Sequence, residues 1–456
     1  MKSLPLPGIA IALFLLALSG CTKTPEAEGI ATGPLMADSM QFQLAIYYLP
    51  TPSKNPATAL NEFLTASHSK LKQVEALPKV PSEPLVSTHL LSNVQQDYAP
   101  PGMDSLNRFG RGITREQALA LQKSTQALIL DFAHPKADVW TGLRTAYSVT
   151  EAVARATGGL LWDEQTREMF TPDEWHKRRI ASWTDEIPDI PSHTVIHAYR
   201  SGEYVRAITL GMSKFGLPDV VVEDFSWSMN SAVGNLINLF SQSIAEGATI
   251  TKRGEFDLEL HGVKNARVRE SQTASLKPNA TAIAHLSLKQ GKWEEGDPKN
   301  PLIELTFNRY EGEDNHAKQD KLLSALFGWE DDIVQVKHDD QLLAASNKAK
   351  SHLPELKRIF NAGLAPGEYI EVKAPFAVPT GGNEWMWVEI TAWDGDKIKG
   401  LLKNEPFQIP SLHGGQIVEV SQQDIFDYIR RYPDGKEEGN ETGDILQKMQ
   451  QAKDKR

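Results

Sequence analysis

A single cysteine, Cys21, in a chain of 456 residues sets the first limit on the fold. A lone thiol cannot pair within its own chain, so no disulfide staples this structure. Nor can the chain offer a CxxC redox pair or a cysteine-rich metal site. Its stability must come from packed cores. The length exceeds one ordinary core and suits two or three domains. A hydrophobic content of 40% and a charged content of 23% fit a globular body.

The residues before Cys21 have the layout of an export signal. Lys2 supplies a positive start, and Ile9 to Leu18 is unbroken apolar sequence. Such a run is too short to span a bilayer as a permanent helix. Ser19 and Gly20 are small and directly precede Cys21. This order resembles the lipobox of bacterial lipoproteins; the alternative is an ordinary cleaved signal. The resemblance implies removal of residues 1–20, a diacylglycerol on the Cys21 thiol and an acyl chain, such as palmitate, on the new amine. Two or more acyl chains hold a protein firmly to a membrane, whereas one holds it marginally. Thr22 in place of an aspartate favours the outer over the inner membrane by the same resemblance. Residues 21–37 read as the acylated cysteine and a flexible tether.

Charge narrows the partners. The net charge is −11, and loss of Lys2 leaves 47 basic against 59 acidic residues, or −12. Nucleic acid, which needs clustered Lys and Arg, is disfavoured. A basic protein partner remains open, as does plain solubility.

The fold class expected is α+β. In residues 38–184, strands are expected at Phe42 to Leu49, Leu85 to Leu91 and Ala127 to Phe132. Helices are expected at Pro56 to Ala66 and from Asp138, where Leu143, Ala146 and Tyr147 share a face until Gly158. A hairpin at 160–170 follows. This alternation predicts a ferredoxin-like α/β layer. The proline-bearing stretch Asp185 to Ser192 marks a boundary. Residues 190–312 read as one helix, Asn230 to Glu246, on an antiparallel sheet. Asp434 to Arg456 is polar and charged, so residues 433–456 are expected to be a loose tail.

The last domain is expected over 331–432 as a small β-rich SH3-like sheet with helices. Leu342 to Phe360 is helical but interrupted by Pro354, and Ser421 is expected to cap a helix from Asp424 to Arg431. On the strand Glu384 to Trp393, Met386, Val388, Ile390 and Ala392 alternate with Trp385, Trp387, Glu389, Thr391 and Trp393. The stretch 381–390 (GGNEWMWVEI), then Gly400, Leu402, Asn404 and Pro406, then 414–420 (GGQIVEV) and 424–428 (DIFDY) together resemble the YegJ-like family. That is a bacterial domain of unknown function, and the resemblance implies no catalytic residue.

Candidate chemistry is sparse. Trp385, Trp387 and Trp393 form the best candidate recognition face, since aromatics spaced by two can make a stacking platform. The alternative is that this face packs on the domain's own helix or on a neighbouring domain. His193 and His197 have helical metal-pair spacing but sit in β-branched, strand-like sequence without a completing acid. Asp331–Asp332 and Asp339–Asp340 read as solvated boundary residues. No GxSxG, P-loop or GxGxxG occurs, although a Ser-His-Asp site need not show in linear order. No metal, cofactor or catalytic residue is assigned.

The sequence therefore points to a non-enzymatic, lipid-anchored, periplasm-facing envelope protein that works by binding or interaction, immunity-type proteins included. An envelope hydrolase acting on wall or lipid, or a structural envelope component, are the alternatives. Cys21→Ala is expected to abolish radiolabelled-lipid incorporation and release the chain from the membrane fraction. Firm retention in that fraction would contradict the anchor.

Overall fold

The computed structural model describes residues 29–49, 51–67, 70–328 and 340–445. Cys21, the signal segment, Asp331, Asp332, Asp339 and residues 446–456 lie outside the described residues. Among those described, no helix is long and apolar enough to cross a membrane.

The architecture is α+β throughout. The first region runs β1 (Ser39–Tyr48), α1 (Pro56–Ala66), β2 (Leu85–Leu91), α2 (Met103–Phe109), β3 (Ala127–Pro135), α3 (Val139–Thr157), β4 (Gly159–Asp163) and β5 (Glu168–Phe170). Its four main strands lie in the order β2-β3-β1-β4, each antiparallel to its neighbour. With α1 and α3 as the crossovers, this is the expected ferredoxin-like βαββαβ arrangement. The strand β1 is buried on both faces. Phe42, Leu44, Ile46 and Tyr48 pack towards α3, while Ala45 and Tyr47 pack with Leu106, Leu121 and Trp162 on the other side. Such double burial explains why 42–48 reads as a nearly continuous apolar run. Gly158 ends α3 in the left-handed conformation, with φ 79°, where glycine meets no Cβ penalty.

The second region runs β6 (Val195–Ser201), β7 (Tyr204–Leu210), β8 (Asp219–Phe225), α4 (Asn230–Ala245), β9 (Glu255–Glu259), α5 (Ala266–Thr273), β10 (Ile283–Gln290), β11 (Leu302–Thr306) and α6 (Asn315–Phe327). Its sheet order is β9-β10-β11-β8-β7-β6, and β8 runs parallel to β11. The expected all-antiparallel sheet with one helix is thus a mixed sheet with three. The helix α6 falls in the charged stretch from Glu311: its apolar face shows only beyond Lys321, at Leu322, Leu323, Leu326 and Phe327, all buried.

The stretch Asp185 to Ser192 is packed. The Ile190 N–H donates to Gln242 Oε1 of α4 at 2.8 Å, and Ile190 is fully buried. Apolar side chains of the first region, α3 and the second sheet join in one continuous core. An ionic cluster crosses the same junction. Lys214 Nζ lies 2.5 Å from Asp163 Oδ2, and Arg179 reaches Glu168 at 2.7 Å and Asp163 at 3.4 Å. Lys214, Asp163 and Arg179 are all but inaccessible to water. Burial lowers the Lys214 pKa to about 8 against the pull of Asp163. Part of the expected tether also belongs to the fold. Gly33–Pro34 pair with Thr249–Ile250, and the Ala37 N–H donates to the Gly216 carbonyl at 2.8 Å. A chain bonded to sheet and loop in this way is no free linker from residue 29 onward.

The third region has α7 (Asp340–Ala362), β12 (Tyr369–Ala377), β13 (Asn383–Asp394), β14 (Lys397–Leu402), β15 (Ile417–Ser421), β16 (Asp427–Arg431) and β17 (Glu437–Gly439). The sheet order is β15-β14-β13-β12-β16-β17, fully antiparallel and open rather than closed into a barrel. The helix α7 passes through Pro354 without breaking and covers one face with Ala349, Leu353 and Leu356. Two expectations are corrected here. Ser421 caps only a short 3-10 turn, and 427–431 is a strand because Tyr428 is needed in the sheet core. Beyond residue 433 the chain is folded through 445. The strand β17 pairs with β16, and buried Asp427 accepts bonds from the Thr442 N–H at 2.9 Å and its hydroxyl at 2.5 Å.

The third region docks on the second through polar groups. Glu389, on β13, is buried, and its carboxylate accepts the N–H groups of Trp227 and Ser228 at 2.9 and 3.0 Å. Those residues form the 3-10 turn (Trp227–Met229) that leads into α4, where N–H groups lack helical partners. Lys399 pairs with Glu203 at 2.6 Å, and His413 with Asp314 at 3.2 Å. Gly415 sits against the His316 ring so closely that a Cβ there would lie 2.2 Å from it.

Two expectations about stability follow. His134 is fully buried against Phe42 and Phe132, and neither ring nitrogen has a well-formed hydrogen bond among the described residues. Burial lowers its pKa from 6.5 to about 4. The unfolded chain therefore binds a proton that the fold refuses, and stability falls as pH drops from 6.5 towards 4, by about 3 kcal/mol from this group. Urea unfolding at pH 7.5 and 4.5 should show His134→Leu losing roughly 2–3 kcal/mol less than the parent. Glu389→Ala strands two buried N–H groups and should cost about 3 kcal/mol in the same assay at pH 7.5. A change below about 0.5 kcal/mol would remove the carboxylate from its docking role.

Candidate functional site

The three tryptophans do not share one face. A bulge in the β13–β14 pairing between Ile390 and Ala392 shifts the alternation. Ala392 is consequently exposed, and Trp393 is 4% exposed in the core beside Met386, Val388 and Ile390. Its indole N–H donates to Gln422 Oε1 at 3.0 Å. Trp385 and Trp387 stay on the outer face, half-buried. The Trp385 ring lies 4.8 Å from that of Phe426, and Lys373 Nζ sits 5.5 Å above Trp387. Glu389, two residues beyond Trp387 on the same strand, points into the docking interface, while the rings of Trp385 and Trp387 meet Phe426 and Lys373 of their own region. His193 and His197 also part company. His193 is fully buried, stacked on Tyr147 at 5.6 Å, and burial with Arg179 and Lys214 drives its pKa well below the ordinary value. Among the described residues, no three His, Cys, Asp or Glu are grouped to hold a metal ion.

His197 lines instead a cleft of about 570 Å³ at the meeting of all three regions. The volume is within the usual range of small-ligand sites, roughly 300–1,000 Å³. Each region contributes a wall. Arg108 and Phe109 come from the end of α2; Ile196, His197 and Ala198 from β6. Trp227, Ser228, Asn230 and Ser231 come from the start of α4. Pro366, Gly367 and Tyr369 precede or open β12, and Arg431, Tyr432, Pro433 and Gly435 close β16 and its turn.

Local sequence explains these placements. Pro433-Asp434-Gly435 turns the chain back, with the Tyr432 N–H donating to the Lys436 carbonyl at 2.9 Å and Gly435 at φ 84°. Arg430 pairs with buried Glu368 at 2.6 Å and lies 4.6 Å over the Tyr432 ring, which fixes that ring at the cleft mouth. The Glu389 carboxylate sits at the base of the α4 wall. Its burial raises its pKa, while the Ser228 and Trp227 N–H groups pull the other way.

Aromatic side chains and two arginines line the cleft. Among the described residues no Asp or Glu lines it, although the chain carries 59 of them. Arg431 is balanced by Glu371 at 3.7 Å and by Glu437. Arg108 is exposed and has no ion-pair partner among the described residues. His197 packs between Phe109 and Tyr199, at 6.5 and 5.4 Å between ring centres. Its pKa is lowered by desolvation and then by Arg167 and Arg108, so at neutral pH the ring is uncharged and can donate one N–H. The set offers donors and aromatic walls to an anionic ligand. The sequence singles out one lining residue, His197, and only as half of a metal pair, because the walls lie more than 300 residues apart in the chain.

No curated protein and no solved structure matches the chain. One family model does match, over residues 339–456. It carries the DUF2314 name rather than the YegJ-like one, and it continues past the domain end expected at residue 432. Residues 339–456, which supply β12, β16 and the turn at the cleft mouth, therefore match the family described as "Uncharacterized protein conserved in bacteria (DUF2314)".

Proposed function

We propose that this chain is a lipid-anchored, periplasm-facing envelope protein that works by binding, with the three-region cleft as its recognition site. The observation that carries the reading is the cleft's composition. Arg108, His197 and Arg431 meet aromatic walls in a lining that, among the described residues, has no carboxylate, inside a chain of net charge −11. Acidic proteins repel anions at long range, so a lining that holds an arginine without an ion pair and no carboxylate among the described residues is a local exception suited to an anionic partner. The sequence before Cys21 supports the membrane anchor, and acylation there would hold the cleft within reach of envelope partners. An immunity-type role, with a toxin as the bound partner, is one form of this reading.

The test is site-specific crosslinking in cells. A photoreactive residue in place of exposed Ser231, at the α4 wall, should yield a discrete adduct, and the same residue in place of exposed Lys79 should not. Equal adducts at both positions, or none at Ser231, would overturn the cleft as the recognition site.

A further inference from the structure

The strand β6 forms one edge of the second sheet, paired with β7 alone. A two-residue turn, Gly202-Glu203, joins them, with Gly202 at φ 62° and Ser201 opposite Tyr204. Glycine with positive φ in the first turn position is the signature of a II′ hairpin, in which the residues flanking the turn exchange both hydrogen bonds. From there the bonded pairs alternate, so Tyr199, His197 and Val195 bond back to β7. The N–H and C=O groups of Ile196, Ala198 and Arg200 therefore point away from the sheet. Two of these residues, Ile196 and Ala198, line the cleft.

Sheet edges of this kind are usually blunted by lysine, proline, bulges or a covering segment. The strand β6 has none of the first three: its sequence is VIHAYRS, and its register with β7 runs unbroken over seven residues. Among the described residues no other strand is paired to its outer edge. Space lies beside it, bounded by Phe109 and Arg108 on one side and the start of α4 on another. Alternating outward N–H and C=O groups are satisfied pairwise by one kind of ligand, a second extended backbone.

We propose that β6 is a docking edge for an extended peptide, added as a seventh strand in the cleft, with a carboxylate of that peptide held by Arg108. The occupant follows from charge and backbone together. Arg108 is the lining arginine without an ion pair among the described residues, and no lining carboxylate repels an acidic partner. Backbone pairing supplies affinity, and the Arg108 contact selects peptides that bear a carboxylate. The inference rests on the cleft being the recognition site and adds the class of ligand it takes.

A defined array of fluorescein-labelled synthetic hexapeptides tests it, with alternating Val and Thr residues and one varied position. Each member is made with a free C-terminal carboxylate, with a C-terminal amide, and with methyl groups on alternate backbone nitrogens. Binding is read by fluorescence polarisation on the full chain in detergent. Carboxylate-bearing members should bind; methylation should weaken them at least 10-fold, and Arg108→Ala at least 5-fold. Amide exchange at Ala198 and Arg200 should slow on binding. Ala198→Pro, which removes one outward N–H, should match the methylated peptides; Arg108→Ala, on an exposed side chain, serves if the proline variant does not fold.

Binding that depends on Arg108 yet ignores methylation and leaves those amides unprotected would overturn strand addition while leaving the cleft as the site. Failure of every array member to bind would overturn the peptide class, and the Ser231 crosslink then decides separately whether the cleft binds anything.

Discussion

A carboxylate buried at the start of a helix holds the third region to the rest of the chain. Glu389 accepts two N–H groups, at 2.9 and 3.0 Å, from the turn that opens α4. The first N–H groups of a helix lack partners within it, and the helix end carries partial positive charge. Burial alone would push a carboxylate towards its neutral form, and the pKa of Glu389 is raised accordingly. Two donors in fixed positions offset that cost only where β13 and α4 meet in one geometry. Because the turn that receives Glu389 is also a cleft wall, docking and site formation are the same event. The contacts of Gly415 with His316 and of Lys399 with Glu203 fix the remaining rotation.

The other two regions are joined more deeply. Their apolar side chains form one core around α3 and α4, and the Asp163–Lys214–Arg179–Glu168 cluster lies between them without access to water. Charges so placed are costly unless every partner is in position. They act as a register: a shift of the 211–216 loop against β4 would leave buried Lys214 without Asp163. Arg179 also donates to the Ser192 carbonyl at 2.6 Å, three residues before β6 begins. The register thus passes to the strand that forms one side of the cleft.

Much of the fold was legible because local pattern and tertiary role agree in it. The apolar run of β1, the face of α3 and its Gly158 stop all encode a ferredoxin-like layer in short stretches. Pattern failed where a distant contact decided the matter. Strict alternation placed Trp393 with Trp385, but a bulge after Ile390 turned it into the core, and nothing local marks that bulge. Residues 427–431 have a capped start that suits a helix, yet β12 on one side and β17 on the other make them a strand. The polar stretch past 433 looks loose until Asp427 finds Thr442. The cleft was out of reach for the same reason at larger scale: α2, β6 and β16 have no sequence signal that they meet.

Everything proposed for the cleft requires its three walls to keep one arrangement in solution. Because Cys21 is the chain's sole cysteine, a Cys21→Ala background leaves room for a clean pair of spin labels. One label replaces Ser231 on the α4 wall and the other replaces Asp434, in the turn after β16. Double electron–electron resonance then reads the distance across the cleft mouth. A single narrow distance distribution is expected. A broad distribution, or two populations of comparable weight, would show that the third region moves freely on the second and would contradict a preformed site.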